Sequence, residues 1–522
     1  MQPVLSDRPE TTGPGVGWRA LAGVVSALAA VGVGHGSAIL VNPVSSPIIA
    51  VGSALIDAAP TPAKEFAIRT FGTNDKPILI ASIAVVLMVF AAVLGMLAWR
   101  HRLVALIGIS LLGVAGLVAA VSRGSAADGI PSLVAGVVGM GVLYLLTATS
   151  SRPAAASSEP GHSAVAGRPD RRLFLGGLAG ATALAALGGV GGVLLDRSRQ
   201  VASAARRAVG LPTPTSTAAP LPAAAQVEGM TPFTTSVDKF YRVDISLVTP
   251  RIDTEGWTLT IDGMVDRPIT LTYDELLQLP LIERTITLTC VSNEVGGPYV
   301  GNATWVGVPF SEIIQRVGVR AGVEQVYSYS LDSDYTCSTP YQAVSDGRDA
   351  MIVVGMNGQV LPDKNGFPAR MLVPGLFGFV SATKWLKRIE FTTYAERSAY
   401  WTDRDWATDA PILTQSRIDM PKSLATLPKD KPVIAGVAWA QHRGIAKVEI
   451  RIDGGEWIQT KLAADAGVDM WRQWTYVYDG PAGLHSAQVR ATDQAGETQP
   501  EARTRVFPSG ARGWHEIQFT SE

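Results

Sequence analysis

A chain of 522 residues has room for about two to four domains. Its net charge of −1 leaves no basic footprint for nucleic acid, and its two cysteines are too few for a four-thiolate iron–sulfur cluster or a cysteine-rich zinc site. None of the six histidines falls between residues 163 and 441, which removes Ser-His-Asp hydrolysis and His-ligated zinc or haem from that stretch of chain.

The mean hydropathy of +0.21 is high for a soluble enzyme, and the excess lies before residue 196. A bilayer span needs about 20 apolar residues. Within residues 1–150, four runs satisfy this: Trp18–Leu40, Pro77–Trp99, Leu103–Val121 and Ile130–Ala148. The stretch Pro47–Ala59 is too short to span. A polar linker follows over 151–172, then a fifth apolar run over 173–195. That run opens "RPDRRLFLGGLAGATALAALGG", which reads equally as a span with a basic edge or as a twin-arginine export signal. Basic residues favour the cytoplasmic side. Arg100 and Arg102, and then Arg152, Arg168, Arg171 and Arg172, fall on one side if the N-terminus is inside. The fifth run then delivers the rest of the chain outside, although Arg197, Arg199, Arg206 and Arg207 run against the rule. The expectation is a multi-pass cell-membrane protein with an extracytoplasmic catalytic part. His35 and His101 belong to opposite ends of their spans, about 30 Å apart, so an intramembrane bis-His haem is not expected.

Residues 196–228 are rich in Ala, Pro and Thr and read as an extended linker. Over 229–420 both periods occur. Trp257, Leu259 and Ile261 alternate with threonines, and a helix is expected over Pro309–Val317, which makes an α+β domain ending near Asp419. Over 425–508 short strands with Gly-rich turns predict an all-β sandwich of immunoglobulin type. The fold class is thus multi-domain: α-helical transmembrane region, α+β domain, all-β sandwich.

Cys290 ends the strand-like stretch Arg284–Thr289 and opens a loop of Gly, Asn and Pro. It can be a buried structural thiol, half of a disulfide with Cys337, or a ligand to a soft or high-valent metal. A cysteine hydrolase lacks a local histidine base.

The motifs "TLTCVSNEVGG…NATWVGVP", "MNGQVLPDKNGFPARMLVPGLFGFVSATKWLKRIEF" and "YWTDRDWATDAPILTQSRIDMP" resemble the sulfite oxidase family of molybdopterin enzymes, in the family's order. That family includes sulfite oxidases, plant-type nitrate reductases and bacterial protein-methionine-sulfoxide reductases. The resemblance covers about residues 230–508, including a C-terminal sandwich like the family's dimerisation domain, and so implies a homodimer among the partners. It implies a molybdenum–molybdopterin cofactor, with no haem, iron–sulfur cluster or zinc, and Cys290 as the thiolate on molybdenum. Asn365 and Arg370 in "KNGFPAR" match residues that hold the pterin and its phosphate; Ala382, Thr383 and Lys384 in "SATKWL" match the segment clasping the phosphate end. In "DKFYR", Asp238, Tyr241 and Arg242 fall near the pterin, although Asp238 also suits a plain turn. Ser330 matches a cofactor-contacting position loosely, and Tyr335 aligns with a tyrosine near the metal or serves packing. Cys337 is expected to be structural.

Animal sulfite oxidases follow this asparagine with two arginines that help to bind an anion, whereas Asn293 here precedes Glu294 and Val295. No cytochrome domain precedes the molybdenum domain, so a separate electron-transfer partner or small carrier is expected. The reading is a membrane-anchored oxidoreductase performing two-electron oxygen-atom transfer. A sulfoxide or N-oxide is the favoured substrate, ahead of a small oxyanion. The alternatives are a sulfite dehydrogenase and a non-enzymatic membrane binding or assembly protein that has lost the metal.

Overall fold

A computed structural model of the chain describes residues 15–60, 63, 66–67, 70–71, 75–123, 125–149, 175–189 and 210–522, apart from 222, 225–226 and 333–334. Two compact units divide these residues: one holds the apolar helices, the other residues 210–245 and 249–522.

In the first unit, four helices among the described residues have the length and composition to cross a membrane: Val16–Val41, Lys76–Ala98, Arg102–Val121 and Ala126–Ala148. The first packs on both Asp75–Ala98 and Ile130–Thr149. Small residues permit the close approach: a Cβ on Gly23 would collide with the Ala91 backbone, and one on Gly95 with Arg19 and Gly23. Large apolar side chains such as Val85, Val86, Leu103 and Leu111 point outward, as lipid-facing side chains would. At one end of the bundle Asn42 Nδ2 donates to Asp128 Oδ1 at 2.9 Å, fastening the first helix to the start of the last. The segment Pro47–Ala58 is a helix, too short to span. Of the fifth apolar run, 173–195, the described part is the 15-residue helix Leu175–Gly189, and the remainder lies outside the described residues. Its Leu178, Ala181 and Ala185 pack on Val25 and Ala29.

The second unit begins with two sheets. One orders the strands Ile282–Thr289, Val300–Pro309, Met351–Met356 and Gln359–Val360, with Arg370–Leu372 also beside Met351–Met356. The other orders Ile269–Thr272, Thr258–Gly263, Leu386–Thr392, Gln325–Ser330 and Thr336–Pro340. Trp257, Leu259 and Ile261 are buried, as their alternation requires, and the helix expected at 309–317 forms over Phe310–Val317 with Pro309 at its N-cap.

Two further sheets close the chain. Gln415–Met420, Val433–Trp439, Arg472–Val477 and Lys461–Leu462 form one; Thr426–Leu427, His515–Ser521, Gly483–Asp493, Ile445–Ile452 and Ile458–Gln459 form the other. Ile434, Trp474, Val448, Val489, Ile517 and Phe519, drawn from both, share one core. The expected division near 420, with the last domain starting at 425 and ending at 508, is corrected here. Gln415–Met420 pairs with Val433–Trp439, and His515–Ser521 pairs with Gly483–Asp493, so both strands belong to the C-terminal sheets.

The C-terminal sheets are joined to the strand that carries Cys290. Thr287 N donates to Asp469 O at 2.9 Å, and Trp471 N donates to Thr287 Oγ1 at 2.9 Å. Gln441 Nε2 donates to Thr287 O at 3.1 Å and to Thr289 Oγ1 at 3.0 Å. Val437, Trp439 and Trp471 enter the same apolar core as Leu259, Ile261 and Val306.

Candidate functional site

Cys290 follows directly on the strand Ile282–Thr289, which is paired along its length with Val300–Pro309. Its N–H donates to Tyr299 O at 2.9 Å and closes the loop 291–298. Within that loop Asn293 Oδ1 accepts Tyr299 N–H at 2.7 Å, and Ser292 N–H points at Cys290 Sγ at 3.4 Å. Both cysteines are free and buried, which sets aside the disulfide reading. Burial raises the Cys290 thiol pKa, against the pull of Ser292 and the Lys384 ammonium. Cys337 is fully buried among Ser328, Thr339 and Thr383, as a structural thiol would be.

Several residues singled out in the sequence gather around Cys290. Tyr241 is raised well above its ordinary value, first by burial and then by the nearby sulfur, against the pull of Arg370. Burial likewise raises Tyr335, with smaller contributions from Cys337 and Cys290; its hydroxyl reaches Phe379 O at 3.5 Å. Arg370 is only 4 % exposed. Its Nη1 donates to Asn365 O at 3.1 Å and its Nη2 to Ala382 O at 3.4 Å, and its guanidinium sits 5.4 Å from the Trp305 ring. Burial brings its pKa down to about 10, so it stays charged at neutral pH.

Lys384 pairs with Asp244 at 2.9 Å, and the same carboxylate takes Arg242 Nε at 2.8 Å. Burial pulls Lys384 down to about 8, although Asp244 opposes the shift. Thr383 Oγ1 and Ser328 Oγ share a 2.7 Å hydrogen bond, and Thr383 O accepts Met371 N–H at 2.9 Å. Ser330 commits its hydroxyl to the backbone: Oγ donates to Lys384 O at 2.9 Å and accepts Asp332 N–H at 2.9 Å. It therefore holds Lys384 in place rather than presenting a hydroxyl. Asp238 is not brought into the group. It lines an open crevice of about 740 Å³ with Ser236, Glu283 and Asn357, and Ser236 lowers its pKa.

The fold also contributes what the sequence did not single out. Asp244, two residues beyond "DKFYR", joins Arg242 to Lys384; its acidic side chain beside two cations was the available signal. Asn293 is buried with no partner for Nδ2. His515, from the last strand, packs on Gly296 of the Cys290 loop, so the exclusion of histidine from this region holds only along the chain and not in space. Its Nδ1 accepts Ile418 N–H at 3.0 Å, and burial, then Arg417 and Arg503, lowers its pKa to about 4.

The donor set fits a pterin phosphate with a thiolate-bound metal. The Arg370 guanidinium is buried against backbone carbonyls, an arrangement that an anion completes. The amide oxygen of buried Asn365 has no protein partner and can take a donor from a heterocycle. Cys290 supplies a free sulfur, and Tyr241 lies within electrostatic reach of both that sulfur and Arg370.

Residues 246–401 match the family described as oxidoreductase molybdopterin binding domain. Among curated proteins the chain is similar to sulfite oxidase of Gallus gallus, 26 % identical over 309 residues, covering 50 % of this chain and 67 % of that protein. It is 27 % identical over 324 residues to mitochondrial sulfite oxidase of Homo sapiens, covering 52 % of this chain and 59 % of that one. It is 26 % identical over 319 residues to the NADH nitrate reductase of Solanum lycopersicum, covering 48 % and 34 %. The chain thus spans about 59 % of the length of the mammalian relatives it matches. Among solved structures, the sulfane dehydrogenase SoxCD from Paracoccus pantotrophus aligns with a TM-score of 0.44 at 24 % identity, over 51 % of this chain and 77 % of that one. Beyond its helices of membrane-spanning length, the chain thus carries an oxidoreductase molybdopterin binding domain and is similar along about half of its length to sulfite oxidases.

Proposed function

We propose that the protein is a membrane-anchored molybdopterin-dependent oxidoreductase. Its catalytic unit works on the extracytoplasmic side, with five spans, and it reduces a sulfoxide or N-oxide. The bound cofactor supplies two-electron oxygen-atom exchange. Cys290 presents its sulfur from the end of a fully paired strand, so the ligand is held still while the following loop leaves one face for substrate. Arg370 and Lys384 hold the phosphate end, and Asn365 receives the heterocycle. Tyr241 and Tyr335 keep their phenol protons across the physiological range; Tyr241 offers an O–H donor beside Cys290, while the Tyr335 O–H points at Phe379 O. The C-terminal pair of sheets, as an immunoglobulin-type sandwich, serves dimerisation.

The observation that carries this reading is the meeting of buried Cys290 and Arg370 with the partly buried Tyr241 and Lys384. The choice of substrate rests on the exposed Glu294 in the loop after Cys290. A carboxylate there disfavours a dianion such as sulfite and costs a neutral sulfoxide or N-oxide nothing. Metal and pterin analysis of purified protein, with steady-state comparison of sulfite oxidation against sulfoxide and N-oxide reduction, tests both parts. About one molybdenum per chain and the highest specificity constant for a neutral oxygen donor are expected. A metal-free protein overturns the enzyme reading, and sulfite as the best substrate overturns the reductase reading.

A further inference from the structure

The loop after Cys290 is gripped from outside its own domain. Arg417, on the strand Gln415–Met420 of the C-terminal sheets, donates from Nη1 to Gly297 O at 2.7 Å. Its Nη2 donates to Thr231 Oγ1 at 3.0 Å and its Nε to Asp419 Oδ1 at 2.7 Å. Every arm of the fork is thereby fixed. Arg417 is 8 % exposed and Asp419 2 %, so the pair is held out of water. One residue back, Gly296 has φ +77°, and a Cβ there would collide with the His515 ring. Gly297 N–H donates to Glu294 O at 2.8 Å, which makes Glu294–Gly297 a closed turn. Its outer corner is fastened by Arg417 and its glycine lies flat on His515.

A buried ion pair is a poor way to gain stability, because desolvation offsets most of the attraction and apolar side chains of similar volume do as well. A guanidinium fork does something such side chains cannot. It fixes a carbonyl in direction as well as distance. Here that carbonyl belongs to the turn that bears Glu294.

The geometry points to Arg417 as a positioning residue that sets the Glu294–Gly297 turn, and through it the placement of the Glu294 carboxylate toward substrate. The C-terminal sheets then take part in substrate selection in addition to any role in association. This rests on reading the Cys290 region as the reaction site.

Arg417→Lys is the first variant, because it keeps a cation beside Asp419 but cannot reach Thr231, Asp419 and Gly297 together. Arg417→Gln combined with Asp419→Asn is the second; it removes the grip without leaving a buried carboxylate unpaired. Each is purified as the full chain with cofactor and compared with the parent for molybdenum content, amide hydrogen exchange across 291–299, and KM and kcat with a sulfoxide. The expected result is unchanged molybdenum, exchange at 294–299 faster by about tenfold, KM raised by about tenfold, and kcat within about twofold. Exchange and KM both unchanged in the two variants overturn the proposal. So does a joint fall of molybdenum content, kcat and thermal midpoint with no change confined to the turn, since that marks a merely structural role. Faster exchange at the turn, in a protein that holds no molybdenum and turns over neither sulfoxide, N-oxide nor sulfite, supports the grip and overturns the reaction assigned to the site. The two failures are therefore distinguishable.

Discussion

Lys384 and Asp244 meet at 2.9 Å in a place so buried that desolvation still prevails, and the ammonium titrates at about 8. A phosphate bound there favours the charged amine, so binding draws a proton onto Lys384 whenever the pH is above 8. Cofactor retention should therefore be greatest below pH 8 and weaken as pH rises through it, by up to about tenfold per unit. Lys384→Gln should bind more weakly and lose this dependence. Molybdenum and pterin content after dialysis at pH 6.5 to 9.5 checks both.

Cys290→Ala should abolish molybdenum binding and turnover while changing stability by no more than about 1 kcal/mol, because a small buried side chain with one long contact is lost. Arg370→Lys should fold yet retain the cofactor poorly, since an ammonium cannot replace a fork that reaches both Asn365 O and Ala382 O. Metal analysis beside a melting curve separates the two effects.

His515 is held neutral by burial and by the positive charges of Arg417, Arg503 and Lys422, with Asp419 alone opposing them. Its folded pKa of about 4 lies below the ordinary 6.5, so between those values the unfolded chain binds the extra proton. Stability should fall as pH drops from 6.5 toward 4, by at most about 3 kcal/mol from this group. In denaturant melts His515→Gln should shed that part of the acid sensitivity.

Glu294→Arg should raise the specificity constant for sulfite by roughly three- to tenfold and leave a neutral sulfoxide nearly unaffected, as an exposed charge near an anion is worth modest energy. Equal effects on both substrates would remove the electrostatic basis for preferring a neutral oxygen donor.

Local pattern made much of the architecture legible. The runs of apolar residues predicted the four long helices, and the alternation before Cys290 predicted the strand that holds it. What escaped was pairing across the chain. Gln415–Met420 looks like any other strand, and only its partner, Val433–Trp439, assigns it to the C-terminal sheets. Asp244 reads as a loop residue until Arg242 and Lys384 are seen to share it. Excluding histidine by position in the chain missed His515, because a residue 225 positions beyond Cys290 returns on the last strand. Ser330, a loose match to a cofactor-contacting position, has a local task that the sequence did not reveal: its hydroxyl donates to Lys384 O and accepts Asp332 N–H.

Thr287 is bonded at its N–H, its carbonyl and its hydroxyl to Asp469, Gln441 and Trp471 of the C-terminal sheets. The strand that leads into Cys290, already paired along its length with Val300–Pro309, is thus braced further by residues encoded up to 184 positions later. During synthesis from the N-terminus, Cys290 emerges long before Trp471, and its strand waits without those partners. The bracing of the strand that leads into Cys290 is therefore completed only once the chain has been made as far as Trp471.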